Sequence, residues 1–183
     1  MISVGIVGGT GYTGVELLRI LAMHPNAEIN IVTSRAEAGN KVSSVYPSLC
    51  SGLLANLDLH FTQPDVSALK ECDCVFFAAP NGTAMQMVPE LLKADVKVVD
   101  LAADFRIKDP DIWAHWYKQA HACPDILQTA VYGCQNCIEQ RLKMLDWSRI
   151  RVVIQQLRYL GFCLCWKRVS HKTHNLLLIQ SQG

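Results

Sequence analysis

Three glycines spaced three residues apart are the first feature of this sequence that could support chemistry. They are Gly8, Gly11 and Gly14, in the run GIVGGTGYTG over residues 5–14. Gly8 would allow a sharp turn, Gly11 would let a pyrophosphate approach the backbone, and Gly14 would let a helix pack closely. The free N–H groups at the start of that helix would face the phosphates. The spacing predicts a dinucleotide site, and the alternative is a tight turn with no ligand.

A strand and a helix must flank these glycines if they are to hold a dinucleotide. Residues 2–7 form an apolar run, and residues 15–21 have the pattern of an amphipathic helix. Pro25 cannot continue that helix, and the β-branched stretch from Ala27 to Thr33 predicts a second strand. Together these segments predict a βαβ unit of about thirty residues, which is the context that makes the glycine spacing informative.

The residues after the second strand bear on which dinucleotide would bind. A site specific for NAD tends to carry Asp or Glu here, to bind the ribose 2′-hydroxyl. This sequence has Ser34 and Arg35 instead, and a hydroxyl and a guanidinium suit a 2′-phosphate. The pair predicts NADP as the cofactor. The alternative is that Arg35 is an ordinary solvated arginine on the surface.

Strands and helices alternate along the chain as far as residue 133. Apolar strands are predicted at residues 74–79 and 96–101, and helices at 84–94 and 111–119. The alternation predicts an α/β fold: a Rossmann-like, doubly wound and mostly parallel sheet with helices on both faces. In such a sheet the ligand lies at the carboxyl ends of the strands.

This topology would bring two further segments to the cofactor, Ala78 to Gly82 and Ala102 to Arg106. Asp104 and Arg106 are therefore candidate substrate contacts. A local salt bridge or a helix cap is an equally open interpretation of these two side chains, because structural pairs are as common as functional ones.

Other conspicuous side chains are interpreted as parts of the core. Cys74, on an apolar strand, is predicted to be a small buried residue rather than a nucleophile. The aromatic cluster of Trp113, Trp116 and Tyr117 is predicted to serve packing.

The composition is that of one globular domain, or of one domain and a fragment. The chain has 183 residues, half of them hydrophobic, and a net charge of +1. This charge favours neither nucleic acid nor membrane as a partner, and no apolar run reaches the roughly 18–20 residues of a membrane span. No secretory signal is recognised, so a cytoplasmic protein is expected.

The charge changes sign near Gly133. Residues 1–133 hold 9 Lys/Arg and 14 Asp/Glu, a balance of −5, whereas residues 134–183 hold 8 and 2, a balance of +6. Such a break predicts two parts. The first is an NADP-binding Rossmann domain over residues 1–133, and the second is an unrelated segment over residues 134–183.

The first 133 residues resemble the N-acetyl-gamma-glutamyl-phosphate reductases of arginine biosynthesis. Aspartate-semialdehyde dehydrogenases are similar in fold and chemistry, but Tyr12 and residues 100–106 favour the first family. The resemblance rests on VGGTGYTGVEL at 7–17, His24-Pro25, Tyr46-Pro47, FFAAPNG at 76–82, DLAADFR at 100–106 and AVYG at 130–133.

The resemblance implies an NADPH-dependent oxidoreductase that reduces N-acetyl-gamma-glutamyl phosphate to N-acetylglutamate 5-semialdehyde. In the family a cysteine thiolate attacks the acyl phosphate, phosphate leaves, and hydride reduces the thioester. The resemblance further implies a small-molecule acyl phosphate as substrate, and a homo-oligomer for full-length members. The cofactor-binding residues it implies here are Gly8, Thr10, Gly11, Tyr12, Thr13, Gly14, Ser34, Arg35, Ala79 and Pro80.

The family's cysteine stands in an Asn-Pro-Gly-Cys-Tyr-Pro-Thr motif, after the stretch that matches residues 130–133, and a second catalytic domain follows. This chain has no such motif, and the second domain is expected to be missing. We hypothesise that the DNA after Gly133 is read in a shifted frame. In the other frame the codons of residues 150–157 permit Asn-Pro-Gly-Cys-Tyr-Pro-Thr-Ala, which places the cysteine at Val153. In the same shifted frame, the codons of residues 134–138 and 161–169 permit further amino-acid sequences that resemble the family.

On this hypothesis no catalytic residue is assigned, the chain is inactive, and residues 134–183 are expected to be poorly ordered. Three alternatives stay open. The first is a non-catalytic NADP-binding remnant. The second is a zinc site, which we do not favour because its second cysteine pair is tightly spaced. The third is a basic nucleic-acid-binding segment, also not favoured because no binding motif is present. The zinc alternative would use Cys134, Cys137, Cys163 and Cys165.

Overall fold

Seven strands and six α-helices alternate along the computed structural model, which describes residues 1–50, 59–133 and 152–155. The strands are β1 (Ile2–Val7), β2 (Ala27–Thr33), β3 (Phe61–Thr62), β4 (Cys74–Phe77), β5 (Lys97–Asp100), β6 (Val131–Gly133) and β7 (Val152–Gln155). The helices are α1 (Tyr12–Ala22), α2 (Val42–Val45), α3 (Val66–Leu69), α4 (Ala84–Lys93), α5 (Pro110–Tyr117) and α6 (Pro124–Leu127), with a short 3-10 helix at Pro47–Cys50.

The strands form one sheet in the order β3-β2-β1-β4-β5-β7-β6, and all neighbouring strands are parallel. The chain runs outward from β1 to β3 and then returns to place β4 on the other side of β1. This reversal is the doubly wound arrangement, and it opens a crevice at the carboxyl ends of β1 and β4. The predicted Rossmann-like α/β fold is confirmed.

Two apolar clusters cover the two faces of the sheet. On one face, Leu17 and Leu21 of α1 pack in the cluster that contains Ile6 of β1. On the other face, Val88 of α4 packs in the cluster that contains Phe77 of β4. Side chains alternate between the two faces of a strand. Because both faces of β1 and β4 are covered by these clusters, the two strands are continuous apolar runs.

Strand β7 lies within residues 134–183, for which no strand was predicted. Val152–Gln155 lies between β5 and β6, with Val153 opposite Val99 of β5 and Val131 of β6. The sheet therefore does not end at Gly133, and the poor order of residues 134–183 stays a prediction. Three β-branched residues in a row favour a strand, which is paired on both sides here. Residues 134–151 and 156–183 lie outside the described residues, as do the four cysteines of the zinc alternative.

The described segments contain no helix with the length and apolarity needed to cross a lipid bilayer. Within the same segments, no three His, Cys, Asp or Glu side chains are grouped so as to hold a metal ion.

Candidate functional site

The glycine loop, residues Gly8–Gly14, connects β1 to α1 at the crevice. Gly8 has a φ of +88°, and a Cβ atom there would lie 2.5 Å from the carbonyl oxygen of Ala78. A Cβ at Gly14 would overlap the carbonyl oxygen of Gly8 and lie 2.7 Å from the Cα of Gly9. Both positions therefore require glycine for the fold itself: Gly8 for its backbone conformation and Gly14 for the close approach of α1 to the loop.

Gly11 differs from these two glycines because the protein leaves space beside it. A Cβ at Gly11 would come no closer than 3.8 Å to Ala78 and 3.9 Å to Gly8, which is ordinary van der Waals contact. Its φ of −74° and ψ of 160° suit any residue. Packing in the chain does not explain a glycine here, whereas the approach of a bound group to the backbone would.

The first turn of α1 presents unoccupied backbone donors to this space. Gly11 is the N-cap residue and makes no capping side-chain bond, so the N–H groups of Tyr12, Thr13 and Gly14 meet no acceptor among the described residues. Val15 N–H is the first that bonds, to the carbonyl of Gly11 at 2.9 Å. Free donors and the positive end of the helix dipole together favour an anion such as a pyrophosphate.

Thr10 and Ser34 meet at this loop, as their place at the ends of β1 and β2 predicts. The two hydroxyl oxygens lie 3.1 Å apart, and Ser34 Oγ also accepts the N–H of Glu37 at 3.2 Å. Ser34 is buried, with 4% of its surface exposed. Its hydroxyl therefore bonds other protein groups beside the loop, a structural role that the sequence alone did not indicate.

Arg35, next to Ser34, is exposed. Its backbone carbonyl accepts a hydrogen bond from Gln63 at 3.3 Å, but in the described part of the chain its guanidinium has no hydrogen-bond or ion-pair partner. A free guanidinium at the end of β2 is available to a ligand phosphate. It equally matches a solvated arginine, so its role stays a prediction.

The end of β4 closes the other side of the crevice. Ala78 N–H donates to the carbonyl of Val7 at 2.8 Å, which fixes β4 against the start of the glycine loop. Ala79 follows half-buried and Pro80 is exposed. The predicted cofactor residues on β1, β2 and β4 thus converge on one edge of the sheet.

Asp104 accepts hydrogen bonds at the start of a helix, and its contact with substrate stays a prediction. The residue is fully buried, and its two carboxylate oxygens accept the N–H groups of Gly82 at 2.7 Å and Met85 at 3.1 Å. Met85 N–H is an orphan donor in the first turn of α4, and Gly82 N–H lies just before that helix. Both oxygens are engaged by the protein, so the cap that the sequence left open as an alternative is the one that forms.

Asp100 and Arg106 are the unsatisfied polar groups of this region. Burial raises the pKa of Asp100 to about 7, against a hydrogen bond from Ala102 N–H at 3.0 Å that lowers it. The charge of Asp104 raises the pKa of Asp100 further, whereas a hydrogen bond from the Asp104 backbone and the charge of Arg106 lower it. The Asp100 Oδ2 and Arg106 Nε atoms are buried and have no hydrogen-bond partner in the described structure. Arg106 is half-buried, so its substrate role stays a prediction.

The cysteines whose side chains the structure describes are not nucleophiles. Cys72, Cys74 and Cys123 are buried and form no disulfide. Burial raises the pKa of each thiol, to about 12 for Cys74 and Cys123. Because the thiolate is the reactive form, these thiols are inert at neutral pH. The prediction that Cys74 is a core residue is confirmed.

One aromatic residue of α5, Trp113, bonds the loop that follows β5. Trp113 is fully buried, stacks on Tyr117 at 4.9 Å between ring centroids, and donates from Nε1 to the carbonyl of Ala103 at 2.9 Å. It thereby holds the segment that precedes Asp104. Packing is confirmed for Trp113 but not for Trp116, of which 69% is exposed.

A family profile described as "Semialdehyde dehydrogenase, NAD binding domain" matches residues 3–145. The chain belongs to this family. The semialdehyde dehydrogenase profile extends past Gly133, where the charge of the chain changes sign.

Relatives within the semialdehyde dehydrogenase family are N-acetyl-gamma-glutamyl-phosphate reductases. The one from Alkalilimnicola ehrlichii is 58% identical over 133 residues, which cover 73% of this chain and 38% of the relative. The one from Marinobacter nauticus is 59% identical over the same length, and the one from Acinetobacter baumannii is 52% identical over 143 residues. The chain thus spans about two fifths of the length of these relatives.

Solved structures of semialdehyde dehydrogenases share the fold. Aspartate semialdehyde dehydrogenase with NADP from Candida albicans superposes with a TM-score of 0.54 at 18% identity, over 84% of this chain and 42% of the other. The second enzyme of that name from Vibrio cholerae gives 0.54 at 12% identity, over 84% and 41%.

Proposed function

We propose that this chain binds NADPH at the glycine loop. The observation that carries the proposal is the set of free N–H groups of Tyr12, Thr13 and Gly14, which face open space beside Gly11. A pyrophosphate in that space would accept these donors and neutralise the helix dipole. The crevice between β1 and β4 is where doubly wound sheets bind a dinucleotide, and the family to which the chain belongs supports a nicotinamide dinucleotide there.

NADPH rather than NADH is the proposed form, because of Arg35 and Ser34 at the end of β2. The exposed Arg35 guanidinium would pair with the ribose 2′-phosphate. Ser34 would contribute indirectly, since its hydroxyl is committed to Thr10 and Glu37.

The activity proposed for the whole protein is reduction of N-acetyl-gamma-glutamyl phosphate to the semialdehyde, which the names of the relatives support. A bound NADPH supplies the hydride. The part that this chain contributes is to bind the cofactor, fix its pyrophosphate on α1, and exclude water with the apolar ends of β1 and β4. A cytoplasmic location is proposed on the same grounds.

Gly11→Ala tests the cofactor site without disturbing the fold. The new methyl group meets no protein atom closer than 3.8 Å, so Tm should stay within a few degrees of wild type. The methyl would occupy the space of the pyrophosphate, and we expect NADPH affinity to fall at least about tenfold. Titration of NADPH fluorescence measures this. A folded variant with unchanged affinity for NADPH would contradict the proposal.

The same titration with NADH tests the choice of cofactor. One charge-assisted pair between Arg35 and the 2′-phosphate contributes about 1.5–3 kcal/mol, so wild type should bind NADPH about ten- to a hundredfold more tightly than NADH. Equal affinities would show that Arg35 is a solvated surface residue.

We further propose that the chain lacks the nucleophile of its relatives because residues after Gly133 are read in a shifted frame. The thiols of Cys72, Cys74 and Cys123 are too deeply buried to replace it. Sequencing of the gene across codons 130–136 tests the frame. A continuous frame, with a mass of the intact protein that matches it, would contradict the hypothesis.

A further inference from the structure

Tyr46 lies 36 residues from Thr10 in sequence, yet its hydroxyl donates to the Thr10 carbonyl at 2.8 Å. The carbonyl belongs to the glycine loop, immediately before Gly11. We propose that Tyr46 is a positioning residue for the cofactor: it holds the peptide between Thr10 and Gly11 in the orientation that leaves the start of α1 open to a pyrophosphate. The inference rests on the proposed binding of NADPH.

The glycine loop does not hold this peptide by itself. Gly8 and Gly9 are fixed by hydrogen bonds from their N–H groups to the carbonyl of Thr33, at 3.1 and 2.9 Å, and Val15 by its bond to Gly11. Between them the only loop-internal bond described is a long one of 3.4 Å from Gly11 N–H to Gly8. Gly11 N–H belongs to the same peptide as the Thr10 carbonyl, so the loop holds this peptide by that long bond, and Tyr46 holds its carbonyl from outside the loop.

Tyr46 is itself firmly placed. It ends α2, where its N–H donates to the carbonyl of Val42 at 2.9 Å, and its carbonyl accepts the N–H of Leu49 at 3.0 Å. The ring meets the buried Phe61 edge to face, with centroids 6.4 Å apart. Burial, and then the charge of Glu37, raise the pKa of the Tyr46 hydroxyl. The hydroxyl thus stays protonated and able to donate at neutral pH.

Two different residues form hydrogen bonds with two atoms of Thr10. Tyr46 bonds its backbone carbonyl, and Ser34 bonds its side-chain hydroxyl at 3.1 Å. Ser34 is next to Arg35, the proposed contact of the 2′-phosphate, whereas the Tyr46 hydroxyl bonds the backbone of the glycine loop. Loss of the Tyr46 bond should therefore affect ligands that place a phosphate on the loop and spare ligands that carry only the 2′-phosphate.

Tyr46→Phe removes the hydroxyl and keeps the ring on Phe61. We expect NADPH and 2′,5′-ADP, which both carry a 5′-phosphate, to bind about three- to tenfold more weakly, in line with one lost hydrogen bond. Affinity for 2′-AMP should stay within twofold of wild type on the same scale. Calorimetric titration of the full chain with each ligand measures this.

Tyr117→Phe is the matched control, because its ring packs on Trp113 away from the loop. It should bind all three ligands like wild type. Unchanged binding of 2′,5′-ADP by Tyr46→Phe, or equal weakening of all three ligands, overturns the inference. If wild type binds no NADPH, the proposed function fails instead, which keeps the two failures distinguishable.

Hydrogen–deuterium exchange of the wild-type chain gives an independent measurement should Tyr46→Phe fold poorly. Binding of 2′,5′-ADP should slow exchange in residues 42–46 as well as in the glycine loop, because Tyr46 links the two. Slowing in the loop alone would contradict the link.

Discussion

Gly8→Ala lowers the free energy of unfolding by about 3–5 kcal/mol, and Gly39→Ala lowers it by about 1–2 kcal/mol. Both glycines have positive φ, +88° and +93°, so both substitutions strain the backbone. They differ in what a methyl group would meet. At Gly8 it would lie 2.5 Å from the carbonyl oxygen of Ala78, whereas at Gly39 nothing lies within 4 Å.

The contact at Gly8 is costly because neither side can move freely. Gly8 N–H is bound to the carbonyl of Thr33 at 3.1 Å, and Ala78 N–H to the carbonyl of Val7 at 2.8 Å. Relieving the overlap therefore breaks hydrogen bonds of the central strands. Urea unfolding of wild type and the two variants, followed by circular dichroism, gives the difference. Equal losses at the two positions would show that the close approach of β4 has no role in stability.

Asp100→Asn removes most of the pH dependence of stability between about pH 4 and pH 8. The pKa of Asp100 in the folded chain is raised to about 7 from its ordinary value of about 4, chiefly by burial. Below about pH 4 the carboxyl is neutral in both states, and its full stability contribution is present. As the pH rises toward 7, the unfolded chain ionises first and is favoured. A rise of about three pKa units corresponds to on the order of 2–4 kcal/mol lost by wild type.

The test compares unfolding free energies of wild type and Asp100→Asn at several pH values across that window. Asparagine does not ionise and keeps an oxygen for Ala102 N–H. The free energy of unfolding of the variant should therefore rise steadily relative to that of wild type as the pH rises. Asp111→Asn, at an exposed position in the first turn of α5, should follow the wild-type slope. Parallel curves for wild type and Asp100→Asn would mean that Asp100 does not titrate between the two states.

The sequence was sufficient to predict the features that depend on local patterns. The glycine spacing between an apolar run and an amphipathic helix predicted the loop and α1. Alternating strands and helices predicted the parallel sheet, because such connections leave few other topologies. Ser34 and Ala79 were predicted to lie near the glycine loop for the same reason.

Features that depend on contacts between distant segments could not be predicted. Asp104 caps α4 because residues 100–106 pack onto the start of that helix. The hydrogen bond from Gly82 N–H to Asp104 joins residues that are 22 positions apart in sequence. Tyr46 bonds Thr10 across 36 residues, and only its place in a turn was visible in the sequence. Strand β7 was missed because the frame hypothesis gave no reason for Val152–Gln155 to pair, although its β-branched residues favour a strand.

Our central proposal is that this chain is the cofactor-binding part of a reductase and brings no thiolate to form the thioester that the hydride reduces. The most direct measurement is NADPH formation when the purified chain, first shown to bind NADPH, is mixed with N-acetylglutamate 5-semialdehyde, phosphate and NADP. We expect the rate of NADPH formation to be no higher than that of a heat-denatured sample. Saturable turnover above that control would contradict it, because a working thiolate would then have to exist in the chain.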